Sequence, residues 1–199
     1  IRLNDQRMDI ILETLRSLRP KRIVDLGCGE GKLLARLVRE PWIEHIVGVD
    51  ASVIALERAA KRLRLNEPSG PPESRITLMH GALTYRDKRI ATADAAILVE
   101  VIEHLDPERL PALERVVFGE AKPKYVIVTT PNAEYNALFS NLASGDFRHP
   151  DHRFEWTREQ FRAWVKSIED RYGYRAELHD VGRVDAIHGA PTQMAVFMQ

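Results

Sequence analysis

Apolar residues recur along this chain with a helical period and a strand-like period in turn. Met8, Ile11, Leu12 and Leu15 share one face of a helix that stops before Pro20, and Arg22 to Leu26 follows as a short strand. Leu33, Leu34, Leu37 and Val38 predict the next helix, Ile46 to Val49 a buried strand, and Ile54 to Leu65 a helix with Ser52 as its cap. Beyond the breakers Pro68, Gly70, Pro71 and Pro72, the segments Ile76 to Met79 and Ala95 to Val99 predict two more strands. Asp106 before Pro107 predicts a cap and a first-turn proline for a helix carrying Leu110, Leu113, Val116 and Val117. Tyr125 to Thr129 is a fifth strand. Thr157 with Gln160 fits a capping box ahead of a helix whose face is Phe161, Trp164, Val165 and Ile168, and two late strands near Tyr174 to Val181 and Gln193 to Met198 close the series. Strands alternating with helices predict an open, doubly wound sheet that binds ligands outside the carboxyl ends of its strands.

Composition narrows this picture in a few ways. A chain of 199 residues, 44% hydrophobic, suits one domain with its own core. The single cysteine, Cys28, excludes an intrachain disulfide and a cysteine-built zinc site, so a reducing cytoplasm is the expected compartment. No apolar run approaches the roughly 20 residues of a membrane helix, and no membrane contact is expected. With 29 basic and 29 acidic side chains, any nucleic-acid contact has to be a local basic patch. The chain opens on Ile1 rather than methionine, which suggests a piece of a longer protein.

The first strand runs into Asp25-Leu26-Gly27-Cys28-Gly29-Glu30-Gly31, with glycines where the backbone must turn tightly and let a ligand approach. The spacing is G-x-G-x-G rather than the G-x-G-x-x-G of dinucleotide enzymes. It resembles the first motif of class I S-adenosylmethionine methyltransferases, which have a Rossmann-like, mostly parallel sheet with helices on both faces and an antiparallel final strand. Asp50 ends the second strand, where a carboxylate can accept from both ribose hydroxyls of an adenosyl group. Gly81-Ala82-Leu83 falls where such enzymes place the adenine. Many of them carry an acid after that glycine and this chain does not, so backbone groups are expected to serve there. The expected cofactor contacts are Asp25, Gly27, Gly29, Asp50, Ser52, Gly81 and Ala82.

Two further segments carry candidate chemistry. Glu-Val-Ile-Glu-His, from Glu100 to His104, puts two carboxylates and an imidazole just after the fourth strand, and Arg148 to Thr157 adds imidazoles among arginines and aromatics. Such a mixture suits a hard divalent cation beside the end of a nucleic acid. The connection from Pro131 to Trp156 is long for a compact domain, which favours a functional role. Thr130-Pro131-Asn132-Ala133-Glu134-Tyr135-Asn136, Asp151-His152-Arg153-Phe154-Glu155-Trp156-Thr157-Arg158 and Glu-Val-Ile-Glu-His together resemble the RNA 3'-terminal ribose 2'-O-methyltransferases, the family that caps small regulatory RNAs in eukaryotes and acts in RNA repair in bacteria.

That resemblance covers nearly the whole chain and is closest to the bacterial members. It implies metal ligands at Glu100, Glu103, His104 and His152, which are also the expected catalytic residues. His149 is the rival to His152. Two carboxylates with two imidazoles fit Mn2+ or Mg2+. The implied substrate is an RNA 3' end with free 2'- and 3'-hydroxyls, and the candidate proton acceptor is His104, if it is not fully committed to the metal, or another loop histidine. The resemblance further implies that residues 1–199 are a methyltransferase domain from the C-terminal part of a longer protein. A polynucleotide kinase-phosphatase and ligase are its expected repair partners. Arg148, Arg153, Arg158 and Arg162, with Phe147, Phe154 and Trp156 interleaved, can hold phosphate and stack on a base. Asn132 and Asn136 position substrate or tie the loop. The competing readings are a metal-free methyltransferase of a small molecule and a silent RNA-binding module.

Overall fold

A computed structural model describes residues 2–84 and 90–199; Ile1, where the chain begins, lies outside the described residues. Seven strands form one sheet: β1 (Arg22–Leu26), β2 (His45–Asp50), β3 (Ile76–His80), β4 (Ala95–Val99), β5 (Tyr125–Pro131), β6 (Arg175–Val181) and β7 (Thr192–Met198). Their spatial order is β3-β2-β1-β4-β5-β7-β6. The five strands from β3 to β5 run parallel, whereas β7 is antiparallel to both of its neighbours. This is the Rossmann-like class I methyltransferase architecture, antiparallel final strand included.

Both faces of the sheet are buried, so its central strands are apolar at nearly every position rather than at every second one. In β4, Ala95 and Ile97 face one core while Ala96 and Leu98 face the other. Helices α1 (Leu3–Leu18), α2 (Leu34–Leu37) and α3 (Val53–Leu63) cover the first face through Met8, Ile11, Leu12, Leu15, Leu34, Leu37 and Leu63. Helices α4 (Leu110–Glu114) and α5 (Arg158–Tyr172) cover the second, where Phe161, Trp164 and Phe197 pack together. A side chain such as Phe161, 2% exposed, stabilises the fold by roughly 1.5–3 kcal/mol through burial.

Local chemistry explains most element ends. Thr157 Oγ1 accepts from Gln160 N while the Gln160 side chain accepts from Thr157 N, so the capping box forms, and Gly173 closes α5 at φ 74°. Ser52 Oγ caps α3 by accepting from Ala55 N at 3.2 Å. Asp106 departs from expectation, because its side chain makes no capping bond and Pro107–Arg109 forms a 3-10 turn before α4. Past Glu114 the helix widens into a π-helical stretch, Arg115–Ala121. Gly119 lets Tyr172 approach there, since an added Cβ would lie 3.2 Å from its ring.

The order of strands reverses between β1 and β4. Their carboxyl ends, Leu26 and Val99, therefore flank a crevice, the place where a doubly wound sheet binds ligands.

Candidate active site

The cofactor side is built by backbone. Gly27, at φ 84°, passes so close to Val101 that a Cβ there would lie 2.6 Å from a valine methyl. Gly27 N and Cys28 N both donate to Val49 O, at 2.8 and 3.0 Å, which bends the loop over the end of β2. Gly29, at φ 52°, instead faces open space, with nothing within 4 Å of a built Cβ. Asp50 Oδ2 accepts from Gly29 N and Oδ1 accepts from Ser52 N, each at 2.8 Å. Each oxygen keeps a further lone pair for an outside donor. Asp25 is 2% exposed and makes no side-chain hydrogen bond with another described residue. Burial first, and the nearby Asp50 charge second, push its pKa up to about 7.

The acidic side begins with a strained residue. Glu100 leaves β4 at φ 54°, a left-handed conformation uncommon outside glycine, and its N–H donates to Thr129 O at 3.1 Å. The chain then turns through a 3-10 segment, Ile102–His104, which drives Ile102 into the core and carries Glu103 to full burial. Thr129 Oγ1 donates to Glu100 Oε1 and Thr130 Oγ1 to Glu103 Oε2, both at 3.0 Å. Arg7, from α1, brings Nε to 3.2 Å from Glu100 Oε1, close enough for an ion pair but not aligned as a hydrogen bond.

Glu103 Oε1 is buried without a hydrogen-bond partner among the described residues. Burial and the neighbouring Glu100 charge raise the Glu103 pKa well above the usual carboxylate range, and burial raises Glu100 too, against the pull of Arg7. Two buried carboxylates that oppose each other's ionisation, one with an unpaired oxygen, form a donor set that a divalent cation fits.

Three imidazoles lie nearby. His104, His149 and His152 each place a ring nitrogen within 4.8 Å of the others, and Glu100 and Glu103 are not members of that group. The four expected ligands are thus not drawn to a single point. Burial, then the two neighbouring imidazoles, lower the His104 pKa and favour its neutral form. Glu155, 8% exposed, holds His152 Nδ1 at 2.6 Å and so fixes the ring, leaving Nε2 as the nitrogen not bound to it.

One cleft of about 400 Å3 joins the two sides. Gly27, Asp50, Ala82, Leu83 and Thr84 line it together with Glu100, His104 and Arg109. Its floor is the β1/β4 reversal.

The connection beyond β5 is pinned to the body by polar bonds. Asn132, fully buried, donates Nδ2 to His188 O and Ala190 O, both at 2.8 Å, and its Oδ1 accepts from Glu134 N. The Arg148 guanidinium donates to Asn132 O, Pro191 O and Asn136 Oδ1, each at 2.5 Å. Arg158 pairs with Glu134 at 2.6 Å and donates to Ile187 O. Trp156 packs against Phe154 and Trp164, with ring centroids 4.5 and 5.5 Å away. Arg153 N donates to Glu103 O at 2.7 Å, tying this segment to the acidic one.

A family described as a methyltransferase domain matches residues 2–169. The small RNA 2'-O-methyltransferase of Mus musculus is 38% identical over 202 residues, covering 98% of this chain and 50% of that protein. The crystal structure of the methyltransferase domain of the bacterial protein CtHen1 superposes with a TM-score of 0.89 at 44% identity, covering 100% of both chains. This chain belongs to the small-RNA 2'-O-methyltransferase family. The crystal structure of the small RNA methyltransferase HEN1 also matches, with a TM-score of 0.90 at 34% identity over 98% of this chain and 25% of that one. The chain spans about half the length of the first curated relatives it matches.

Within this family's fold, the expected residues separate into two kinds. Gly27, Asp50, Ala82, Glu100 and His104 line the cleft, and Glu103 and His152 stand behind its acidic side. Ser52 and Gly81 hold neighbouring backbone instead: Ser52 caps α3, and Gly81 N donates to Asp50 O at 3.1 Å. Asn132, Arg148 and Arg158 make internal bonds that leave a structural role in view, and these bonds lend no support to substrate contact. Arg153 differs, with a side chain 57% exposed and, among the described residues, only a 3.6 Å pairing with Asp106. Sequence reasoning missed Arg7, Thr129 and Thr130 as partners of the carboxylates. The apolar spacing of α1 gave one available signal, because it puts Arg7 next to the buried Met8. Among the described residues, no helix is long and apolar enough to cross a membrane.

Proposed function

We propose that this chain transfers the methyl group of S-adenosylmethionine to the 2'-oxygen of the 3'-terminal ribose of RNA. In this reading Glu100, Glu103, His104 and His152 hold a hard divalent cation, manganese or magnesium. The observation that carries it is the single cleft lined at one end by Gly27, Asp50 and Ala82 and at the other by Glu100 and His104. Transfer in line needs acceptor and donor in one such space.

Asp50 accepts from the ribose hydroxyls of the cofactor. Asp25, buried and without a hydrogen-bond partner among the described residues, faces the cofactor's ammonium group. The bound cation supplies positive charge that lowers the pKa of a ribose hydroxyl. Glu100 and Glu103 fix the position of that charge, with Thr129, Thr130 and Arg7 fixing the carboxylates in turn. His152 is oriented by Glu155. His104, favoured as neutral imidazole, is the candidate to accept the hydroxyl proton where its lone pair is not committed to the cation, and another loop histidine takes that role where it is. Needing both vicinal hydroxyls confines the reaction to an RNA end, since an internal 3'-oxygen is esterified and DNA lacks the 2'-oxygen. A role in RNA repair beside a polynucleotide kinase-phosphatase and ligase, in a reducing cytoplasm, belongs to the same proposal and rests on the likeness to bacterial members.

Radiolabelled methyl transfer tests it. RNA ending in 2'-OH and 3'-OH should be methylated in the presence of manganese. Ends carrying 3'-phosphate, 2'-deoxy or 3'-deoxy sugar should be poor. Full activity after chelation would favour a metal-free enzyme of a small molecule, and failure to bind adenosylmethionine a silent RNA-binding module.

A further inference from the structure

One charged group of the cleft has no part in the proposed reaction. Arg109 lines the cleft, and among the described residues it is the only lysine or arginine that does; the other ionisable side chains there are Asp50, Glu100 and His104. Carboxylates suit adenosylmethionine, whose sulfonium and ammonium groups are cations. A guanidinium does not, unless it lies where the ligand is neutral.

The contacts of Arg109 put it there. It ends the 3-10 turn Pro107–Arg109, with its N–H donating to Asp106 O at 2.8 Å, and the buried Leu110 next to it anchors the turn in the core. From that turn the side chain reaches the segment leaving β3, where Nη2 donates to Thr84 Oγ1 at 3.1 Å. Thr84 follows Gly81, Ala82 and Leu83, the stretch assigned to the adenine. Leu83 and Leu105, both half-buried against the second core, give this end of the cleft apolar surface. Ala82 stands where many such enzymes carry an acid, so the base has no carboxylate to receive it. A guanidinium is planar and weakly hydrated, and it stacks on flat π systems, nucleobases included. Bonded to Thr84, it is already ordered before the ligand arrives, which lowers the entropy lost on binding.

We propose that Arg109 stacks on the adenine of bound adenosylmethionine, and that its bond to Thr84 is the clasp that holds it over the base. Arg109 is then a cofactor-binding residue and Thr84 a positioning residue. The inference deepens the adenosylmethionine part of the proposed function and rests on that part alone; neither the cation nor the RNA enters it.

Calorimetry with two ligands tests it: adenosylhomocysteine, and methylthioadenosine, which has the same base and no amino-acid part. Arg109→Ala should bind adenosylhomocysteine about threefold to tenfold more weakly, the range of a guanidinium on an aromatic face. Methylthioadenosine should lose affinity by the same factor. The melting temperature without ligand should match the wild type, since the side chain is exposed. Thr84→Val should weaken both ligands by less, and should add nothing in an Arg109→Ala background, because the threonine acts through the guanidinium. Arg109→Lys keeps the charge without the plane and should remain weaker than wild type. Unchanged affinity in Arg109→Ala, or full affinity in Arg109→Lys, overturns the stacking. So does a loss confined to adenosylhomocysteine, which would put the guanidinium on the amino-acid carboxylate, or a raised KM for RNA with cofactor affinity intact, which would assign Arg109 to the RNA. Additive losses in the double variant overturn the clasp. Failure of the wild type to bind either ligand would sink the adenosylmethionine reading itself, and this inference with it.

Discussion

The two ends of the cleft are made by different means. At the cofactor end, residues 25–31 and 48–52 bring together backbone N–H groups, positive-φ glycines and the carboxyl groups of Asp25 and Asp50, from two neighbouring strands and the turns that follow them. At the acidic end, Glu100 and Glu103 depend on Arg7 of α1, on Thr129 and Thr130 of β5, and on a loop latched by Arg148 and Asn132 to residues 188–191. Glycine and backbone can be held by local geometry. Buried charge cannot, and needs partners from several segments at once.

The strongest way to break the comparison is to damage the acidic end alone. Glu103→Gln keeps the volume and removes the charge, so methyl transfer should fall by at least about a hundredfold, the upper range even for groups that only support a ligand. Affinity for adenosylmethionine, measured by calorimetry, should change less than about twofold. Loss of both in a folded variant would mean that the two ends are one unit.

Next in size is the latch. Arg148→Met removes three hydrogen bonds, to Asn136 Oδ1 and to Asn132 O and Pro191 O, although the two carbonyls keep Tyr135 N and Asn132 N as donors, so stability should drop by roughly 1–3 kcal/mol in denaturant titration. Arg153→Ala serves as the contrast, because its exposed guanidinium makes, among the described residues, no closer bond than a loose pairing with Asp106. Its stability should stay within about 0.5 kcal/mol of wild type. A raised KM for RNA with unchanged kcat would then mark Arg153, rather than Arg148, as the phosphate contact.

The same contrast explains what could be read from the chain. The continuous apolar runs of β4 and β5, the capping box at Thr157 and the G-x-G-x-G turn are local patterns, visible wherever side chains follow one another in sequence. So were the types of the acidic segment. The partners of that segment were not legible: Arg7 and Glu100 meet across 93 positions of sequence, and Thr130 meets Glu103 only because β5 lies beside β4. Asn132, Arg148 and Arg158 show the opposite case, residues whose internal bonds the sequence did not reveal. Polar residues on a long loop suggest substrate contact, yet a loop folded against the body needs them to satisfy its own backbone. The left-handed Glu100 had no signal at all, since no glycine marks the turn.

At the cofactor end, Asp50→Ala removes the acceptor of Gly29 N and Ser52 N together with the proposed ribose acceptor. Adenosylmethionine affinity should weaken by roughly 1–3 kcal/mol, and an unchanged dissociation constant in a folded variant would reject the ribose role. Gly29→Val meets no protein atom near its new Cβ, so any loss of affinity beyond the backbone strain reports the close approach of the cofactor itself.

The smallest effect, and the one that bears most directly on the cofactor end, is a pH dependence centred on Asp25. Its pKa is raised by burial from 3.8 to about 7 in the free protein, so the folded chain holds a proton there that the unfolded chain has lost. The stability contributed by that extra proton is therefore fully present at low pH and is lost as pH rises through about 7. Cofactor binding has the opposite sign. A carboxylate facing an ammonium group must be ionised, so affinity should strengthen by about tenfold between roughly pH 6 and 8, with a proton released on binding below pH 7. Calorimetry in two buffers of different ionisation enthalpy measures that release. In Asp25→Asn the dependence should vanish, and the variant should gain stability relative to wild type as pH rises. A pH-independent affinity in the wild type would mean that Asp25 faces no cationic group and serves the turn alone.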